Sequence, residues 1–202
     1  MAVAPKRTRL SAAARRELIE QAATEVFAER GYHGASTEEI ARRSGVSVPV
    51  LYDHFPTKQD LHRRLLEKHY ADLRAVWEHL AGDDPPEQRL ARTLDAWFHY
   101  VQTHPYAWRM LFRDSTGGGA AEDIRREIAA ESQARVLPLF ARERGTPEHV
   151  DLAWQAWRAA IQGMALWWSE HPGVPREHLV AITMDTLWLG LDRVRAGERW
   201  QP

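Results

Sequence analysis

The residues with the most usable chemistry lie in one stretch, Ser36–Lys58, STEEIARRSGVSVPVLYDHFPTK. It carries the hydroxyls of Thr37 and Ser47, the phenol of Tyr52, the imidazole of His54 and the ammonium of Lys58. Gathered near helix starts, such groups suit phosphate oxygens, which helix N-termini attract with their free amides. Lys58 adds an argument of its own. It falls in the first turn of a predicted helix, where a cation opposes the helix dipole, and a phosphate nearby reverses that sign.

A second set is aromatic. Of nine tryptophans only Trp77 lies in the first 96 residues. Trp97, Tyr100, Trp108, Phe112, Trp154, Trp157 and Trp168 are candidates to line a cavity among C-terminal helices. Aromatics at helical spacing more often build a core, and that alternative stands beside the cavity. Indole, however, is large and its N–H needs a partner. So many in one region suggest a small apolar ligand, aromatic or cationic.

Enzyme chemistry finds no support. The ten histidines form no HExxH, and no G-x-S-x-G, P-loop or G-x-G-x-x-G occurs. Cysteine is absent, which removes disulfides, thiolate nucleophiles and thiolate metal sites. No metal and no cofactor is expected. The net charge of -1 means that any nucleic-acid binding rests on local placement of charge. The N-terminus has no apolar run after Lys6, Arg7 and Arg9, so no secretory signal is read there, and no segment is long and apolar enough for a membrane span. A cytoplasmic protein is expected. The N-terminal basic residues suit either a disordered tail or an arm that reaches phosphates and the minor groove.

The elements that must position these groups are helical throughout, since no stretch alternates with period two. Residues 11–30 place Leu18, Ile19, Ala22, Ala23, Val26 and Phe27 on one face, and Gly31 closes that helix. Ser36 caps the next, with Glu39 at the spacing of a reciprocal capping box. Gly45 ends it where positive φ is cheap, Ser47 caps a third, and Pro49 sits in that helix's first turn. Leu51 and Phe55 return to the core. Two short helices about such a turn form a helix-turn-helix, whose second helix can enter a major groove. A connecting helix over 57–80 follows Pro56, and Gly82–Pro86 breaks the chain.

The last two helices point to assembly. Over 147–170, Trp154, Trp157, Ile161, Ala165 and Trp168 share one face, and Leu152, Ala156, Ala159, Ala160, Gly163 and Trp167 the other. The final helix, about 176–196, sets Val180, Met184, Leu187, Trp188, Leu191 and Val194 against Leu179, Ile182 and Leu189. Helices apolar on two sides are buried on two sides. A homodimer with a twofold four-helix contact is the simplest closed solution. Its expected interface is Ala156, Ala160, Gly163, Trp167, Met184, Leu187, Trp188 and Leu191.

GVSVPVLYDHFPTKQDL resembles the signature of the TetR family of bacterial transcriptional repressors. The match takes in Thr37, Ile40, Ala41, Gly45, Val46, Ser47, Leu51, Tyr52, Phe55, Lys58 and Leu61, and upstream Ala22, Phe27 and Gly31. The resemblance implies that Thr37, Ser47, Tyr52, His54 and Lys58 meet the phosphate backbone. It also implies that Val48, Pro49 and Val50 face bases. Those three lack bidentate donors and would read shape and thymine methyls. The expectation is an all-α protein with a three-helix DNA-binding domain over 1–56 and a helical ligand-binding and dimerisation domain over 57–202. Its partners would be a palindromic double-stranded operator and a small apolar or aromatic effector that releases it. The competing reading keeps the DNA-binding head on a packed core that answers to no small molecule.

Overall fold

The structure, a computed structural model, describes residues 11–112, 119–140 and 147–190. The described residues are helical with no strand among them. Helix α1 (Ala12–Gly34) starts at Ser11, whose Oγ accepts from the Ala14 amide at 3.1 Å. Ile19, Ala22, Ala23, Val26 and Phe27 form its buried face, while Leu18, expected there, is exposed. At Gly31 the backbone leaves the helix with φ 69°, a value that penalises any Cβ. Losing a core ring such as Phe27 costs about 3–5 kcal/mol in comparable sites.

Helix α2 (Thr37–Ser44) opens with Ser36, whose Oγ accepts from the Glu39 amide at 3.1 Å. The reciprocal half of the capping box is not made as the spacing predicts: the Glu39 carboxylate takes a bond from Arg43 at 2.7 Å. Gly45 ends α2 in the left-handed region at φ 71°. Helix α3 (Val48–His54) follows, and Ser47 stands at its N-cap without a side-chain cap bond. Its hydroxyl oxygen, exposed on the surface, is therefore not taken up by an amide of the helix. Leu51 and Phe55 are buried as expected.

Helix α4 (Lys58–Arg74), capped by Thr57, tightens into a 3-10 stretch at Ala75–Leu80. Then come α5 (Pro86–Thr103), α6 (Pro105–Phe112), α7 (Gly119–Phe140), α8 (Pro147–Glu170) and α9 (Arg176–Thr183), the last passing into a π-turn at Met184–Trp188. Helix α6 rests on α1 and α4, while α5 rests on the 3-10 stretch, α8 and α9.

Polar contacts tie α1 to α4 and α4 to α5. The Thr24 hydroxyl lies 3.0 Å from His69 Nε2, and the Tyr100 hydroxyl donates to the His69 carbonyl at 3.2 Å. Burial pushes the His69 imidazole down to about 4, so it is neutral at pH 7. Beside it the buried Glu20 carboxylate accepts from Lys68 at 2.7 Å. Burial alone would raise Glu20, but Lys68, Arg16 and Arg64 outweigh it and hold its carboxyl below the usual range.

Helix α8 is two-faced as its spacing predicts. Trp154, Trp157, Ile161, Ala165 and Trp168 are buried, while Leu152 is 67% and Trp167 49% exposed. In the last segment the expected interface residues lie on different sides. Trp188 is buried and Met184 and Leu187 rest on the subunit's own core, so the outward apolar residues are Ile182 and Leu189. Periodicity finds two apolar sides of a helix, but not which neighbour each side meets. Leu191 and Val194 lie outside the described residues.

Candidate functional site

The first candidate surface surrounds the start of α3. Ser47, Pro49 and Tyr52 are exposed, with Val50 and His54 half-buried. Val48, expected among the outward residues, is partly turned onto the core. Thr37 is buried, and its hydroxyl lies 3.3 Å from the Tyr52 hydroxyl. Thr37 thus orients the phenol from beneath. Glu38, Arg42 and Asp53 are exposed around the same surface, which makes it mixed in charge.

Lys58 departs from its expected state. Its Nζ donates to the Ala35 carbonyl at 2.7 Å and stands 4.6 Å from the centre of the Tyr32 ring. The cation in the first turn of α4 is therefore answered inside the protein, by a carbonyl that the fold brings from 23 residues away. An ammonium has three donors, so this bond still leaves it able to meet a phosphate. Arg43 is likewise held within the protein. It clamps α2 to α1 through Glu29 at 2.6 Å and holds Glu39 as well. Arg43's hydrogen bond holds the Glu29 carboxyl below its usual range.

The second candidate is a cavity of about 150 Å³ between the 3-10 stretch, α5, the end of α6, α7 and α8. Four of the anticipated aromatics line it: Trp97, Phe112, Trp154 and Trp157. Trp97 meets Phe112 edge-on at 5.3 Å, and Trp154 stacks on Trp157 at 5.5 Å. The other three lie elsewhere. Tyr100 is committed to the His69 carbonyl. Trp168 donates to the Val174 carbonyl at 2.8 Å and packs edge-on against Phe98. Trp108 shares with Trp168 a separate cavity of about 120 Å³.

The cavity's polar residues were not anticipated. Arg125, Arg158, Gln162, Ser132 and Thr93 join the wall, with Val76, Trp77, Leu94, Ile128, Val136 and Ile161 among its apolar members. Helical spacing marks Arg158 and Gln162 as a polar strip on α8 but does not say that the strip borders a void. Nε1 of Trp97, Nε1 of Trp154 and Nε of Arg158 are buried without a hydrogen-bond partner. A donor left so costs about 1–3 kcal/mol.

The third candidate is the open side of α8 and α9. Ala156, Gly163 and Trp167 are exposed and Ala160 is half-buried there. A groove of about 590 Å³ runs between the two helices past Gly163, Trp167 and Ile182. A side chain added at Gly163 would meet open space. Among the described residues no three His, Asp or Glu side chains gather as metal ligands, and no helix is long and apolar enough to cross a membrane.

Similarity to known proteins follows this division. Residues 19–65 match the family model of bacterial regulatory proteins of the tetR family. Residues 86–190 match that of the tetracyclin repressor-like C-terminal domain. The HTH-type transcriptional activator FasR of Mycolicibacterium smegmatis is 30% identical over 178 residues, which are 86% of this chain and 81% of that protein. A TetR-like transcriptional regulator from Rhodococcus sp. RHA1 superposes with a TM-score of 0.75 at 21% identity, over 94% of this chain and all 100% of that one. The transcriptional regulator FadR from Bacillus subtilis, solved in complex with stearoyl-CoA, gives 0.65 at 20% identity, over 91% and 99%.

Proposed function

The chain belongs to the TetR family of bacterial transcriptional regulators, and from that premise we propose a ligand-responsive repressor that grips a palindromic operator as a homodimer. Its DNA-binding helix-turn-helix lies in α2 and α3. In this reading residues 1–56 form the head and 57–202 the body. Tyr52, Ser47, His54 and Lys58 hold phosphates, while Pro49 and Val50, with the edge of Val48, face the groove.

The observation that carries the ligand response is the path of α4. It begins at the head, where Lys58 binds the Ala35 carbonyl, and its 3-10 continuation supplies Val76 and Trp77 to the cavity wall. A ligand that prefers one position of this wall shifts the head with it, provided that its affinity differs between the two positions. The stearoyl-CoA in the FadR structure supports a ligand site in this chain's body. The exposed apolar side of α8 and α9 supports the dimer, with Ala156, Gly163, Trp167, Ile182 and Leu189 as its proposed contacts. Two such heads would take half-sites about one helical turn or a multiple apart.

The FasR relative is named an activator, which makes activation the competing output. A promoter reporter with the operator placed over or upstream of the start site separates the two. The mechanism itself is tested by selecting an operator from random duplexes, then following its fluorescence anisotropy while compounds are added. Release together with a change in tryptophan emission is the expected result. If no compound does both across a chemically diverse panel, the ligand-response reading falls.

A further inference from the structure

We propose that the body's cavity takes a small aryl carboxylate, a ring of benzene size bearing one short acidic arm, with Arg158 as its counter-charge. This inference rests on the reading that the cavity receives the effector.

Charge decides against a cation. No Asp or Glu lines the cavity, and its charged residues are Arg125 and Arg158. Arg125 is shared with the Leu111 carbonyl at 2.9 Å and Glu122 at 3.2 Å. Arg158 bonds the neutral Gln155 side chain at 2.9 Å, and no ion pair of Arg158 occurs among the described residues. An aromatic wall alone would suit a cation over its faces, but a guanidinium without a counter-ion in the same wall repels one.

Hydrogen-bond polarity points the same way. Indole and guanidinium nitrogens donate and cannot accept. The buried, unpartnered groups of the wall, on Trp97, Trp154 and Arg158, are all of this kind. The hydroxyls of Ser132 and Thr93 already give their protons to the Ile128 and Arg89 carbonyls. The wall's side-chain acceptors are only the neutral oxygens of Gln162, Ser132 and Thr93, and a carboxylate brings two charged oxygens with no proton to place.

Size sets the rest of the molecule. A void of about 150 Å³ is the scale at which an apolar protein cavity holds benzene. Stacked Trp154 and Trp157 and edge-on Trp97 and Phe112 present flat faces to a flat guest. This space is smaller than a stearoyl chain, so in this proposal the effector differs from the ligand in the FadR complex.

The test is calorimetric titration of the full-length protein with phenylacetate, phenylacetamide, 2-phenylethylammonium and stearoyl-CoA, alongside operator anisotropy. Phenylacetate is expected to bind at least tenfold more tightly than the amide, and the cation to give no heat. Arg158→Gln should bring phenylacetate down to the level of the amide and leave the amide unchanged. Arg158→Lys should keep part of the difference. Should Arg158→Gln fail to fold by circular dichroism, Trp154→Phe retains the ring, removes one donor and should weaken phenylacetate severalfold. The proposal is overturned if the cation or stearoyl-CoA binds more tightly than phenylacetate, or if phenylacetate does not bind at millimolar concentration. Release of the operator by the cation or stearoyl-CoA alone would sink this inference and uphold ligand response. Phenylacetate binding with no change in operator affinity would do the reverse.

Discussion

The first three helices and the body treat their polar groups in opposite ways. In the head, Arg43 is clamped to Glu29 and Glu39, Thr37 holds Tyr52, and Lys58 closes on the Ala35 carbonyl. In the body, buried donors of Trp97, Trp154 and Arg158 stand without partners, and Leu152, Trp167, Ile182 and Leu189 face outward. Apart from Nε of Arg15, which is buried without a partner, these polar groups of the head are bound within it and help fix its surface. The body leaves both an interior and an exterior face incomplete, as expected of the part that meets a ligand and a second subunit. Rigidity suits a group that must fit a groove; unsatisfied donors and exposed apolar area suit one whose state must change on binding.

The most severe way to break this contrast is to make the body's open side self-sufficient. Gly163→Arg combined with Trp167→Glu meets open space within the subunit, so folding should survive. Sedimentation should show a monomer, and operator affinity should fall by about 100-fold or more, since the two heads no longer act together. A double variant that remains dimeric would place the interface elsewhere.

Next in size is the junction between the halves. His69 is held neutral with its pKa near 4, below the ordinary 6.5. Above pH 6.5 neither folded nor unfolded chain binds the proton. As pH falls from 6.5 towards 4 only the unfolded chain does, so stability should decline by roughly 3 kcal/mol across that window. Urea unfolding at pH 7 and 4.5 checks this, and His69→Gln should flatten the difference. The contribution of Glu20, whose pKa is lowered, begins to be lost as pH falls into the usual carboxylate range, so the comparison with His69→Gln is what isolates the imidazole. Equal stability of the wild type at both pH values would refute the role given to His69.

Lys58→Met sharpens the comparison where the body's first helix meets the head. Loss of a charged donor from the Ala35 carbonyl should lower stability by about 2 kcal/mol. Operator binding should weaken as well, with a salt slope shallower by about one unit if the ammonium also meets a phosphate. An unchanged slope leaves Lys58 as a tether only. The smallest change is Tyr52→Phe, which removes one hydroxyl from a solvent-exposed ring. About 1 kcal/mol, near fivefold in operator affinity, is expected by anisotropy, with little change in melting temperature. An unaltered affinity would take the phenol out of the DNA contact.

Much of the fold was legible because its signals are local. The Ser36 cap, the positive φ of Gly45, the break after Leu80 and the buried stripe of Trp154, Trp157, Ile161 and Trp168 all follow from spacing within a few residues. The candidate sites were read less evenly. Trp97, Phe112, Trp154 and Trp157 border the cavity, whereas Tyr100, Trp108 and Trp168 have the same residue chemistry but different neighbours. Arg125 and Arg158 carry no sequence signal that separates them from the other arginines of exposed strips. Helix α9 shows the same limit, since both its sides are apolar and only its packing on α5 selects the one bearing Leu179 as interior.

By itself the sequence determined an all-helical chain, a helix-turn-helix with its caps and turn, a family and a two-sided pair of C-terminal helices. Each depends on backbone geometry and side-chain period over one or two helical turns, and such short-range rules hold wherever the segment lies. Only the tertiary structure decided that Lys58 reaches Ala35, that Thr24 meets His69, and that two arginines border an aromatic cavity. Those pairings join residues 23 and 45 positions apart, or five separate elements. Helix period alone fixes no contact across such distances; the packing of whole helices does.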